Sequence, residues 1–419
     1  MKRLPVLLLV AATLCGGCRD VTSRQGGPEL PSASAGQADS LSLWLTGPIS
    51  LELVADFNIP TDTSFDAVAG ADFGGISGLF FDPDRKEIVA VSDNRASNRY
   101  FTLDVQLDGE SITLTPVSMT HLEDMRLEGA EALGEDGRPN VRRVFDPESI
   151  ALAPDGNLFV SSEGSAMREP RIAPAIAEYR PGGELVRFLP VPDKFLPEAE
   201  GPQTKGVANN LAFESLTVSP DGSRLFTATE AALVQDDTPS DFDKGSRARI
   251  LEIGIEGETA GSVKEYVYVV EPMTAPYDFE PIAGENGLVE LLALDNTELL
   301  ALERNFVRGG TAVEPLRRNV IRLFRVSLKG ATDVAEIFSL AGQELGAGGG
   351  IVPARKELIL DFDDIVPALS PTHPELDNFE GLSFGPTLAD GSPSLIVVSD
   401  NNFNPWQRTS FLLFRIRID

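Results

Sequence analysis

Histidine and cysteine are almost missing from this chain, with two of each among 419 residues. Both cysteines, Cys15 and Cys18, stand at the amino terminus, so the body of the protein has no disulfide framework. The scarcity also argues against a zinc or copper centre built from the usual nitrogen and sulfur donors. A serine–histidine hydrolase would have to use His121 or His373, and no G-x-S-x-G elbow accompanies either. A P-loop, a dinucleotide fingerprint and an H-E-x-x-H helix are absent as well. Positive charge is also scarce. Against 64 Asp and Glu stand 35 Lys and Arg, a formal charge of −29, which argues against a nucleic-acid partner. The natural complement is a cation, metal ions included, although acidity alone also keeps an exported protein in solution. Long helical periods are missing too, because 38 Gly and 30 Pro interrupt nearly every candidate.

What is present begins with a targeting segment. Lys2 and Arg3 precede the apolar run Leu4–Leu14, which is too short to span a bilayer. The run ends in Cys15-Gly16-Gly17-Cys18, which resembles the lipobox of bacterial lipoproteins with Cys18 as the acylated residue. Cys15 stands where such boxes usually carry Leu, and ordinary secretion is the alternative. Residues 1–17 are therefore expected to be a signal peptide, and residues 18–40, rich in Ser, Gly, Pro and Ala, a lipidated flexible tether. The folded domain is expected over 41–419, as a monomer held at the cell envelope or secreted.

The remainder repeats itself. Asp146–Gly164 (DPESIALAPDGNLFVSSEG) returns as Ala212–Glu230 (AFESLTVSPDGSRLFTATE) and is preceded by Gly74–Asp93 (GGISGLFFDPDRKEIVAVSD). A degraded copy is Gly287–Asn305, and a last one with a longer turn is Asn378–Asn402. In Pro154-Asp155-Gly156 and Pro220-Asp221-Gly222 the proline pre-sets φ and the glycine accepts the positive φ that ends the turn. Each copy is thus a β-hairpin, and a spacing of about 70 residues indicates a radial or stacked repeat. Two further strands follow most copies: Arg99–Leu107 and Ser111–Met119, Ala175–Arg180 and Glu184–Pro190, Ala248–Ile255 and Ser262–Val270, Val320–Leu328 and Asp333–Phe338. A four-stranded meander is one propeller blade. The last hairpin has only Phe411–Ile418 after it, and the early strand Ile49–Phe57 supplies the missing fourth. The expected fold is an all-β propeller of five or six four-stranded blades, since Gly330–Asp377 has room for a sixth. Insertions at Leu122–Val144, Phe195–Asn210 and Gln235–Gly245 are candidates for a loop face.

In an antiparallel pair the start of one strand lies beside the end of the next. Glu148 is so matched with Glu163, Glu214 with Glu230, Glu290 with Glu303, and Glu380 with Asp400, while Ser77 is matched with Asp93. If these are inner strands, the carboxylates face the mouth of one channel. Their repulsion has to be relieved by cations, by arginine partners such as Arg95, Arg168 and Arg304, or by raised pKa values. Oxygen donors alone suit Ca²⁺ or Mg²⁺. The expected metal set is Asp93, Glu148, Glu163, Glu214, Glu230, Glu303, Glu380 and Asp400. Arg95, Lys205, Arg304 and His373 are the candidates for holding an anionic substrate. The other reading is that the acids cap loops and pair blades.

The phrases DPESIALAPDGNLFVSSEG and AFESLTVSPDGSRLFTATE, with the ending NFEGLSF…LIVVSDNN…FLLFRI, resemble the phytase-like domain family, described by esterase-like activity of phytase. The resemblance covers Gly74–Asp419. It implies an exported bacterial β-propeller, akin to propeller phytases that use carboxylate-held calcium to bind phosphate and activate water. Two functions are therefore expected to compete: a calcium-dependent hydrolase of phosphate or other esters, and a non-catalytic envelope module that binds a ligand or protein. The amino terminus yields the first test. Radiolabelled fatty acid should enter the wild type and not Cys18→Ser; labelling that survives the substitution leaves only secretion.

Overall fold

Hairpins that cannot bury both faces alone must stack, and here they close into a ring. The computed structural model describes residues 47–123, 145–167, 169–275, 280–311, 315–346, 348, 350–371 and 375–418. The signal peptide, the tether with Cys18, the expected start at Leu41, most of the insertion Leu122–Val144, Arg168 and His373 lie outside them.

Strand β1 (Ile49–Pro60) comes first, and its partner comes last. Blade 1 is β2 (Ile76–Asp82), β3 (Glu87–Ser92), β4 (Arg99–Asp108) and β5 (Ser111–His121). Blade 2 is β6 (Pro147–Leu152), β7 (Leu158–Ser162), β8 (Ala175–Tyr179) and β9 (Leu185–Phe188). Blade 3 is β10 (Thr217–Val218), β11 (Arg224–Ala228), β12 (Ser246–Gly254) and β13 (Val263–Val270). Blade 4 takes β14 (Pro281–Ala293), β15 (Glu298–Gly310) and β16 (Pro315–Ser327). It then skips the short parallel pair β17 (Glu344–Leu345) and β18 (Gly350–Ile351) and ends on β19 (Arg355–Asp361). Blade 5 is β20 (Asn378–Phe384), β21 (Ser394–Asp400), β22 (Arg408–Ile418) and, at its outer edge, β1. The fold is a five-bladed β-propeller.

The turns form as their residues dictate. Gly156 takes φ +87° and Gly222 φ +73°, each closing its turn with a backbone hydrogen bond to Ala153 and Ser219 respectively. Between neighbouring blades lie five apolar cores. One joins blades 5 and 1 through Ile396, Val398, Phe411 and Leu413 against Ile76, Leu79, Ile88 and Phe101. Another joins blades 4 and 5 through Leu300, Leu302 and Leu323 against Phe379, Leu395 and Phe414. The others fill the three remaining gaps, so burial holds the ring all the way round. The β1–β22 ladder, from Ile49↔Ile418 to Pro60↔Arg408, ties the two ends of the chain together.

The room for a sixth blade at Gly330–Asp377 is used differently. Asp333–Phe338, expected as the outer strand of blade 4, instead lies along the edge of blade 3. Val334 N–H donates to the Glu265 carbonyl, the Asp333 carboxylate accepts from Glu265 N–H, and Ala354 N–H donates to the Val267 carbonyl. Val334, Leu340 and Ile351 pack on Val267. The fully buried Arg249 clamps the segment, bridging Asp236 and Glu265 and donating to the Ile337 carbonyl. This covers an edge strand that would otherwise be open to pairing, and β19 takes the place in blade 4.

Phe414 is fully buried between blades 4 and 5 on the strand that ties the ring. Phe414→Ala should cost about 3–5 kcal/mol in denaturant unfolding; a loss below about 1 kcal/mol would mean that the β1–β22 blade contributes little to closure.

Candidate functional site

Equivalent positions on the inner hairpins meet at one end of the ring because the inner strands pack against one another. Asp93, Glu163, Glu230 and Asp400 follow or end the second strands of their blades, beside Gly75, Asp146, Ala212 and Asn378, and Arg304 takes the same place within the longer β15, beside Gly287. In four blades a bulge interrupts the first strand, between Ile76 and Gly78, Pro147 and Ile150, Leu288 and Glu290, and Phe379 and Gly381. A bulge re-aims the extra residue, and Glu148 and Glu380 occupy it. Asp93, Glu148, Glu163, Arg304, Glu380 and Asp400 line the floor of an open cavity of about 770 Å³, with Glu214 beside them.

Two acidic triads at this floor share one residue. Carboxylate oxygens of Asp146, Glu148 and Glu163 approach within 4.8 Å of one another, as do those of Glu163, Glu214 and Glu230. All five are buried. Backbone close approach makes the room: a Cβ on Gly287 would come within 2.1 Å of Glu230, and one on Gly75 within 2.2 Å of Asp93. Partial relief comes from two arginines. Arg304 lies 3.4 Å from Glu230 and 3.3 Å from Glu380, and donates to Asn378 at 2.7 Å. The more exposed Arg95 reaches Asp146 at 2.6 Å. Glu163 also accepts Ala212 N–H at 2.9 Å. Buried oxygens of Asp93 and Glu230 still lack a hydrogen-bond partner among the described residues.

The rest of the repulsion is expressed as proton affinity. Burial raises Asp93 to about 7, helped by the charges of Glu380 and Asp146. Burial likewise raises Glu163 to about 7, against the hydrogen bonds from Glu214 and Ala212. Glu148, Glu214 and Asp400 are pushed well above the carboxylate range, first by burial and then by the charges of neighbouring acids. Glu230 is also raised by burial, in spite of Arg304.

The structure does not bring every expected residue to this floor. The pairing of Glu290 with Glu303 is out by one place. Arg304, not Glu303, is the counterpart of Glu230, because Leu299–Arg304 aligns with Leu225–Glu230 across β15 and β11. Glu303 points the other way and is fully engaged by Tyr268, Lys356 and Glu271 N–H. Glu290 stands one residue past the bulge and reaches across the axis, accepting from Ser149 at 2.9 Å and Leu216 N–H at 3.0 Å. It is buried and links blade 4 to blades 2 and 3. Lys205 donates to the Asp193 carbonyl, away from the cavity lining. His373 lies outside the described residues, and His121 sits at a blade edge beside Ser97. The expectation also misses Asp146, which the repeat itself displays ahead of Glu148, and an upper wall with Glu285, Phe306, Arg308, Arg317, Trp406 and Arg408.

A family model described as Phytase-like, esterase-like activity of phytase, matches residues 71–403. A protein of Arthroderma benhamiae described as an uncharacterized secreted protein is 25% identical over 215 residues. That stretch is 45% of this chain and 40% of the relative, so the match spans less than half of the relative's length. Among solved structures, an N-acetylgalactosamine deacetylase from F. plautii overlaps with a TM-score of 0.37 at 10% identity, over 88% of this chain and 95% of that one. A gluconolactonase from Xanthomonas campestris gives 0.29 at 10% identity, over 89% and 97%. Overlaps this loose say nothing about activity.

The raised acids set a pH dependence for the metal-free protein. Their folded pKa values lie above the unfolded ones, so the native state binds more protons between about 4 and about 7. In a chelator, the melting temperature should therefore fall as pH rises through that window. A melting temperature that climbs between about pH 5 and 7 would show these acids ionised and fully paired.

Proposed function

The chain belongs to the phytase-like family, and on that premise we propose that it is a divalent-metal-dependent ester hydrolase, with Ca²⁺ as the ion and phosphate esters or other esters as substrates. One observation carries the reading: buried or half-buried carboxylates from every blade but the fourth converge on the floor of an open cavity, with oxygens of Asp93 and Glu230 left unpartnered among the described residues. The donor set fits a hard cation, since it offers carboxylate oxygen and no nitrogen or sulfur. Asp146, Glu148, Glu163, Glu214 and Glu230 would hold the ion, with Asp93, Glu380 and Asp400 around them. Held by these carboxylates, Ca²⁺ would offset the negative charge of the floor and supply Lewis-acid chemistry toward an ester and a water.

The chain's own groups do the rest. Arg95, exposed at the cavity and tethered by Asp146, orients the anionic end of a substrate. Arg304 is held by Glu230 and Glu380 and keeps the far side of the floor from needing a second cation. Asp93, poised about neutrality with one buried oxygen free of partners among the described residues, is placed to take or return a proton. Glu290 lies beneath, tied across the axis to Ser149 and Leu216. Export is supported by the targeting segment and by the secreted relative; anchoring at the cell envelope through Cys18 is part of the same proposal.

The second reading, a non-catalytic envelope module, is favoured by the internal pairs Arg304–Glu230, Arg304–Glu380 and Arg95–Asp146, which neutralise part of the floor without any ligand. Calcium separates the two. It should raise the melting temperature by an amount equal to about 2.7 kcal/mol at a hundredfold excess over Kd, and a chromogenic phosphomonoester or carboxyl ester should turn over only in its presence. Glu163→Gln with Glu230→Gln should weaken both responses and stabilise the metal-free protein. An unmoved melting temperature together with a destabilising double substitution would assign the acids to blade pairing.

A further inference from the structure

We propose that the wall above the acid floor is a second anion station, and that the cavity takes a linear oligoanion rather than a small isolated ester. The inference deepens the reading of the floor as a metal-assisted anion site and rests on it. Strands β14, β15 and β16 are each 13 residues long, against 7 or fewer for the inner strands of the other blades. Blade 4 therefore continues past the floor. Side chains two apart share a strand face, so Arg304, Phe306 and Arg308 step up one face of β15, and all three line the cavity. Arg317 on β16 pairs directly with Arg308 and lines the same cavity.

Like charges placed directly opposite each other destabilise a ladder unless an anion lies between them. In this acidic chain most buried or half-buried arginines find a carboxylate, as Arg249, Arg304, Arg322 and Arg415 do. Arg308 and Arg317, both exposed, form no ion pair among the described residues, nor does the half-buried Arg408, which lines the same cavity. Burial without a compensating carboxylate lowers the pKa of Arg408. The Arg317 guanidinium lies 5.6 Å from the centre of the exposed Trp406 ring. Stacking holds the plane and leaves its N–H edges free for an oxyanion. Glu285 faces the wall opposite Phe306, between floor and shelf.

Four residues of extended strand separate Arg304 from Arg308, about 13 Å. A single phosphate or carboxylate ester does not reach both stations, whereas a chain of repeated anionic groups does. The shared chemistry is that of an oligouronate or a linear oligophosphate, with one terminus at the floor and a later charge on Arg308 and Arg317.

The test is calorimetric binding of galacturonate monomer, trimer and hexamer, and separately of inorganic phosphate and linear oligophosphates, at buffered free Ca²⁺ and in EDTA. With Ca²⁺ the long chains should bind at least about tenfold tighter than the monomers, and Arg308→Gln with Arg317→Gln should lose about tenfold on long chains. The series that binds tighter identifies the source of the anion. Both side chains are exposed, so the fold should survive, and Arg308→Lys with Arg317→Lys should recover part of the affinity. Long chains that bind no better than monomers in Ca²⁺, an unaffected double Gln variant, or a Lys variant as weak as the Gln one would overturn the proposal. If Ca²⁺ changes no affinity while the arginine dependence persists, the floor reading fails and the shelf stands.

Discussion

Carboxylates that a five-fold ring forces together are the constraint on which this structure turns. Inner strands of a propeller must converge, so any acid repeated at the same place in each blade meets its copies. Within 4.8 Å of one another, and in a medium less polarisable than water, two charged carboxylates oppose folding. The cost is on the order of 4 kcal/mol per contact at an effective dielectric of about 20. The protein answers in three ways. It places Arg304 where the fourth acid would stand, it brings Arg95 in from the mouth, and it leaves several carboxyls protonated near neutrality. The apolar cores between blades and the β1–β22 ladder hold the ring closed against the remainder.

Local backbone features serve the same end. The repeated bulges turn Glu148 and Glu380 toward the axis, and Gly75 and Gly287 withdraw their side chains so that Asp93 and Glu230 fit. Beneath the floor, Glu290 accepts hydrogen bonds from Ser149 and Leu216, which ties three blades together near the axis. The open, charged cavity is where, among the described residues, a ligand meets the acids. The longer hairpin of blade 4 then gives that cavity a cationic wall within a chain of strongly negative charge.

Much of the ring is legible in the sequence because it is written there repeatedly. Pro-Asp-Gly turns, alternating apolar runs and a closing acid identify a hairpin wherever they recur, and the unpartnered last hairpin calls for the early strand Ile49–Phe57, observed as Ile49–Pro60. The degraded fourth copy is where reading fails. With no Pro-Asp-Gly turn to set the phase, Glu303 and Arg304 are equally good counterparts of Glu230, and only pairing with β14 and β16 decides between them. Glu290 is displaced by a bulge, which leaves no mark in composition. Asp146 stands in plain view ahead of Glu148, and is easily overlooked because it precedes the strand. The cover over blade 3 is hidden for another reason. Asp333–Phe338 has strand-like residues, and its destination depends on Arg249, 88 residues before Ile337.

The central claim is that the shared triads around Glu163 are a cation site and not only a set of strained ion pairs. Crystals grown with Ca²⁺ and then exchanged into a lanthanide would test it most directly, through an anomalous difference map. The account predicts the strongest peak within bonding distance of Glu163 and at least two of Asp146, Glu148, Glu214 and Glu230. Ordered carboxylates with no peak among them, or a strongest peak at the acidic surface away from the cavity, would contradict it.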